Sequence, residues 1–188
     1  MKKKDIQIKF KVADVDVFLE NLRKNKYILI GGTFEKTTRY DFEDERLARE
    51  GIFIRTKNGF ADTITIKVKR PNKMQKKYFE RENATFEIEN CDSMKYLLEK
   101  IGLTKNYVME KYRIIWRKGK VELHLDELPF GIYCEISSSE KEIDNIVNKL
   151  NVKTIYNCTY WEIYNQIEDE KKDIKFKKDH IFLTDSLI

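Results

Sequence analysis

The chain reads as an α+β protein in which strands dominate, and three observations lead there. Apolar and polar residues alternate with a period of two in many short runs, such as "DIQIKF" and "TITIKVKR", the pattern of strands with one apolar face. Other segments, such as "DVDVFLENLRKN" and "DSMKYLLEKIG", repeat apolar residues at helical spacing. Only two prolines and seven glycines punctuate 188 residues, and no Ser- or Gly-rich linker divides them. One domain of ordinary size therefore holds these elements.

In chain order, residues 5–12 form a first strand, and Asp14 then caps a helix over 14–25 with Val15, Phe18, Leu19 and Leu22 on one stripe. Alternation returns in "TTRYDFED" (37–44) and "GIFIRTKNG" (51–59), whose Asn58-Gly59 pair signals a hairpin into "ADTITIKVKR". A further strand lies in 78–90. A helix over 92–102 carries Met94, Leu97, Leu98 and Ile101 on one side and stops at Gly102. Two strands joined at Lys118-Gly119 make up "VMEKYRIIWRKGKVELHLDEL", and "GIYCEISS" adds another. Ile143, Ile146, Val147 and Leu150 mark a helix over 139–150, and "TYWEIYNQIEDEKK" a last one. The count is seven or eight strands and three or four helices, with a charged tail over 171–188.

Charged residues make up 37% of the chain and apolar ones 41%, with ten Tyr, eleven Phe and two Trp, which excludes disorder. Thirty-seven bases against 32 acids leave a net charge of +5. That favours an anionic partner but falls short of the dense basic patch of a nucleic-acid binder, so no nucleic acid is expected. Cys91, Cys134 and Cys158 are odd in number and far apart, suggesting neither disulfides nor zinc and a reducing, cytoplasmic setting. No run approaches the ~20 apolar residues of a membrane span, so no membrane is expected either.

Strand side chains alternate between two faces. One face collects Asp5, Gln7 and Lys9; Arg55 and Lys57; Thr63, Thr65, Lys67 and Lys69; Lys111 and Arg113; Glu122, His124 and Asp126; and Glu135 and Ser137. The other collects Ile6, Ile8, Ile54, Ile64, Ile66, Val68, Ile114, Leu123 and Leu125. Two readings stay open on this pattern. The polar faces meet solvent in an open antiparallel sheet, or the sheet closes with helices on its apolar outside and the polar faces lining a lumen. A lumen with both signs of charge suits an anion that carries a metal: bases neutralise phosphates, and carboxylates hold Mg²⁺ or Mn²⁺. His124 and His180 read as a structural and a solvated histidine; Glu82 and Glu87 read as solvated strand charges. No GxSxG, Walker or GxGxxG motif is present.

"DIQIK" at 5–9 resembles the ExExK signature that opens the CYTH, or triphosphate tunnel metalloenzyme, family. In family order there follow "TRYDFEDERLAREGIFIRTKNG", similar to its aromatic-Asp segment and G-x-x-L-R-x-R; "TITIKVKRP", similar to L-T-x-K-x-P; "EKYRIIWRKGKVELHLDELPFGIYCEIS", similar to K-x-R, L-D-x and G-x-[FY]-x-E-x-E; and "TYWEIY", similar to its closing S-Y-x-x-L helix. The resemblance spans about residues 5–164, within a CYTH domain read as residues 1–170. It implies an eight-stranded antiparallel β-barrel forming a triphosphate tunnel, with helices packed outside. It further implies that Lys9, Arg55, Lys67, Lys111 and Arg113 bind phosphate, with Arg39, Lys69 and Arg81 as more loosely aligned candidates. Asp5, Asp126 and Glu135 would hold Mg²⁺ or Mn²⁺. The signature is degenerate: Asp5 shortens its first glutamate, while Gln7 and Ser137 stand where the family has acids. The implied activity is that of a class IV adenylate cyclase or a triphosphatase, such as a thiamine triphosphatase, on a nucleoside or organic triphosphate. The thinned acids keep a catalytically weakened binding module as the alternative, and a homodimer stays open.

Overall fold

The computed structural model describes residues 3–69, 79–168, 173–182, 184 and 187, with side chains other than those of residues 3–5 and 79–81. In order they form β1 (Lys3–Lys11), α1 (Val15–Lys24), β2 (Ile28–Asp41), α2 (Arg46–Arg49), β3 (Ile52–Asn58), β4 (Thr63–Lys69), β5 (Phe79–Glu87), α3 (Cys91–Lys100), β6 (Lys105–Lys118), β7 (Val121–Leu128), β8 (Gly131–Ser137), α4 (Glu140–Lys149) and α5 (Tyr160–Ile167). The strands close into an antiparallel barrel in the order β1-β5-β4-β3-β2-β6-β7-β8. β1 closes it by pairing with β5 at Gln7↔Phe79 and with β8 at Lys9↔Glu135. Of the two sequence readings, the closed sheet is the one that forms.

Closure follows from where the apolar faces go. Ile8 and Phe10 of β1, Ile114 and Trp116 of β6, Leu123 and Leu125 of β7 and Ile136 of β8 point outward, buried beneath Phe18, Leu19 and Leu22 of α1 and Ile143, Ile146 and Val147 of α4. α3 places Leu98 against Tyr40 and Leu103, with Ile54, Ile64 and Met94 around them. Caps set the helix starts: Asp14 Oδ1 accepts from Val17 N at 3.0 Å, and Ser139 and Thr159 each form a capping box, with Glu142 and Glu162. The cover is incomplete. The outward side chains of Ile66, Val68 and Phe86 on β4 and β5 stay exposed.

Several boundaries differ from the sequence reading. β2 begins at Ile28, nine residues before the expected start at 37, and passes a register shift between Leu29 and Gly31. That irregularity and the Gly31-Gly32 pair hide the alternation. β3 ends at Asn58, but β4 starts only at Thr63, so Asn58-Gly59 opens a longer loop that Asn58 Nδ2 ties by donating to Asp62 Oδ1 at 2.6 Å. Between Lys118 and Val121, in contrast, the chain turns in two residues, and Gly119 takes a φ of +58° there. Ile174 of the tail packs on the barrel: it is buried, pairs with Met109, and donates its N–H to Val108 O at 2.8 Å. β6 is six residues longer than β7, and Ile174 takes up part of the edge this overhang leaves. No described helix is long and apolar enough to cross a membrane.

Candidate functional site

The lumen holds a cavity of about 120 Å³. β1 contributes Gln7 and Lys9; β2 contributes Glu35, Thr37 and Arg39; β3 contributes Phe53, Arg55 and Lys57. Lys67 enters from β4, Met109, Lys111 and Arg113 from β6, and Glu135 from β8. Thr159, Tyr160 and Trp161 close one side at the start of α5. The strand residues are positioned by the period of two, which points alternate side chains inward once the sheet closes.

Inside, acids and bases form a connected lattice. Asp126, fully buried, takes Arg113 in a fork, from Nε to Oδ1 and from Nη2 to Oδ2, both at 2.6 Å. Its Oδ2 also accepts from Lys111 Nζ at 3.1 Å and from the Tyr160 hydroxyl at 2.8 Å. Glu35 lies on β2, on the other side of β6, its Oε1 2.7 Å from Lys57 Nζ and its Oε2 3.2 Å from Lys111 Nζ. Glu135 sits 3.2 Å from Lys9 Nζ and 3.3 Å from Arg113 Nη2, with His124 Nδ1 at 3.7 Å.

Electrostatics follow this geometry. Burial pushes the Asp126 carboxyl up, but the charges of Arg113 and Lys111 and the Arg113 hydrogen bonds outweigh it and hold the group below the ordinary carboxylate range. Burial likewise raises Glu135, and Lys9, Arg113 and His124 bring it well below that range. Glu35 is also lowered, by Lys111, Arg113 and Lys57 against its burial. Burial, and then Asp126, push the Tyr160 hydroxyl up, so it keeps its proton and donates it.

The five bases that the resemblance assigns to phosphate, Lys9, Arg55, Lys67, Lys111 and Arg113, all line the one cavity, and Arg39 joins them. The Arg39 guanidinium lies 5.1 Å from the Phe53 ring and 5.3 Å from the Tyr107 ring, and its buried Nε has no hydrogen-bond partner. Lys69 is exposed and does not line the cavity. The side chains of Arg81 and Asp5 lie outside the described residues; their backbones pair across β1 and β5. Gln7 reaches the cavity, and Ser137 is its register partner on β8. Of the charges read as solvated, Glu87 is exposed, and Glu82 faces outward in register with Val68. His180 is not simply solvated: its Nε2 lies 3.0 Å from buried Glu127, which also accepts from Thr184 N and Oγ1.

Glu35 and Trp161 were missing from the expected site, and Lys57, sorted to the polar face, was given no role there. Glu35 sits in "GGTFEKTTRYD", ahead of the point where alternation becomes visible. Carrying the strand back two residues from Thr37 would have placed it on the face of Thr37 and Arg39.

Glu35, Asp126 and Glu135 are the carboxylates in contact with Lys111 or Arg113. No group of three or more such side chains placed to hold a metal ion occurs among the described residues. Asp126 already accepts four hydrogen bonds on two oxygens, close to a carboxylate's capacity. Of the acids that the resemblance assigns to a metal, Asp126 and Glu135 are thus engaged by bases, and the side chain of Asp5 lies outside the described residues.

No family model matches the chain. It is 25% identical over 143 residues to the curated "Putative adenylate cyclase MJ0240" of Methanocaldococcus jannaschii, a match covering 74% of this chain and 79% of that protein. Among solved structures, "a putative adenylate cyclase" from Vibrio parahaemolyticus matches with a TM-score of 0.69 at 17% identity, over 88% of this chain and 99% of the other. HpAC1 from Hippeastrum, described as a "putative adenylyl cyclase" with dominant triphosphatase activity, matches with a TM-score of 0.62 at 15% identity, over 86% and 95%. At such identities the structural matches speak to fold. An eight-stranded barrel with its bases turned inward, matched over most of its length by these two solved structures, is the CYTH or triphosphate-tunnel fold, and this chain has it.

Proposed function

We propose that the lumen binds the triphosphate group of a nucleoside or organic triphosphate and processes it, as a cyclase or as a triphosphatase. One observation carries this reading: seven bases, Lys9, Arg39, Arg55, Lys57, Lys67, Lys111 and Arg113, line a single cavity against only two carboxylates, Glu35 and Glu135. Cations held together in a partly water-excluded space repel one another unless an anion joins them. The names carried by the Methanocaldococcus and Hippeastrum proteins agree with a triphosphate as that anion.

In this reading the residues bind and orient. Arg55 and Lys67 on β3 and β4 face Lys9 on β1 and Lys111 and Arg113 on β6 across the lumen, so several phosphates can be held at once. Asp126 and Glu35 fix the directions of Arg113 and Lys111. Donors fixed before the reaction stabilise charge that develops on a leaving phosphate without reorganising. The attacking group is then a ribose 3′-hydroxyl at the α-phosphate or water at the terminal phosphate, in line with the leaving oxygen. Incubating the purified protein with ATP, thiamine triphosphate and inorganic tripolyphosphate, and following cyclic AMP, phosphate and pyrophosphate, tests it. Absence of both binding and turnover for all three would refute the proposal.

Gln7 and Ser137 favour a second reading, retention of the triphosphate without turnover, because both stand where the family has acids. Tight binding with no product from any of the three compounds would select it.

A further inference from the structure

Resting on the reading that the lumen takes a triphosphate, we infer that it takes the bare anion, without a divalent cation. Two observations converge on this. Gln7 and Ser137, the neutral residues at family acid positions, are register partners on β1 and β8. Two positions 130 apart in sequence thus form one neutral patch on the wall where the resemblance places metal ligands.

The remaining described acids serve bases. Asp126 has no exposure and accepts four donors. Glu35 lies between Lys57 and Lys111, and Glu135 between Lys9 and Arg113. Drawing any of them to Mg²⁺ would strip a buried base of its counter-charge and bring two cations into its place. Neutral oxygens remain at Gln7 and Ser137, but they lack the charge that makes carboxylates good ligands for a hard dication.

The test is calorimetric titration of the full chain with inorganic tripolyphosphate and with ATP, once in a chelating buffer and once with saturating Mg²⁺. Binding at least as tight in chelator as in Mg²⁺ is expected. Binding that is lost, or weakened by about tenfold or more, in chelator while persisting in Mg²⁺ overturns the inference and leaves the triphosphate reading standing. Absence of binding in both media overturns that reading, and this inference with it.

Discussion

Replacing Asp126 with asparagine keeps the volume and removes one buried charge, which isolates the lattice from any cavity effect. All of its partners are donors: Arg113 Nε and Nη2, Lys111 Nζ and the Tyr160 hydroxyl. The new amide nitrogen therefore faces donors whichever way it turns, and Arg113 and Lys111 lose a counter-charge where they are nearly inaccessible. Breaking a buried pair from one side costs about 3–5 kcal/mol. In a chain of this length each kcal/mol shifts the thermal midpoint by about 2–4 °C, so the loss should be about 6–20 °C. Urea and thermal unfolding followed by circular dichroism measure it. pH gives an internal control: the Asp126 carboxyl is held below its ordinary value, so its contribution is complete above the unfolded value of about 3.9 and fades as pH falls through the folded one. The gap between native protein and variant should then narrow in acid. A difference below about 1 kcal/mol at neutral pH, or one that does not narrow, would show that the fork is not a major support of the barrel.

Arg55→Ala and Lys67→Ala should each weaken triphosphate binding by about 1.5–3 kcal/mol, the worth of a charge-assisted contact, and unchanged titration isotherms would refute their role. Three linked phosphates should bind better than one, because the bases come from opposite walls; equal affinities for tripolyphosphate and orthophosphate would contradict that arrangement. Gln7→Glu together with Ser137→Glu should create affinity for Mg²⁺ or Mn²⁺ in the presence of a non-hydrolysable triphosphate, since the two carboxylates would adjoin across β1 and β8 and repel until a cation joins them. Calorimetry showing no gain would remove both positions from any metal-facing role.

The sorting of faces was legible because it needs only a period of two. "DIQIKF" places Ile6, Ile8 and Phe10 on one side and Gln7 and Lys9 on the other, and closure turns the first set under α1 and α4 and the second into the lumen. Closure itself is not written in alternation, which fits a solvated open sheet equally well; the ordered motifs of the resemblance chose between them. What stayed hidden has local causes. Glu35 lies just ahead of the residues where alternation shows, and α2, four residues long, is too short for a helical stripe to show. The pairing of acids with bases was out of reach, because partners such as Asp126 and Lys111 lie on neighbouring strands whose register no single strand encodes.

That lattice separates bases that look alike in sequence. Lys111 and Arg113 both touch Glu35 and Asp126, acids on the two strands flanking β6. Holding them so reduces the positive charge they present, but it fixes long side chains whose rotamer freedom would otherwise be lost on binding. Removing Arg113 is consequently a different experiment from removing Arg55 or Lys67. It takes the fork from Asp126 and leaves a buried carboxylate short of partners, so the barrel loses stability along with any affinity for phosphate. In such a lumen acids hold bases and bases hold the anion, and Asp126 and Glu135 have that role beside Gln7 and Ser137, the neutral residues at family acid positions.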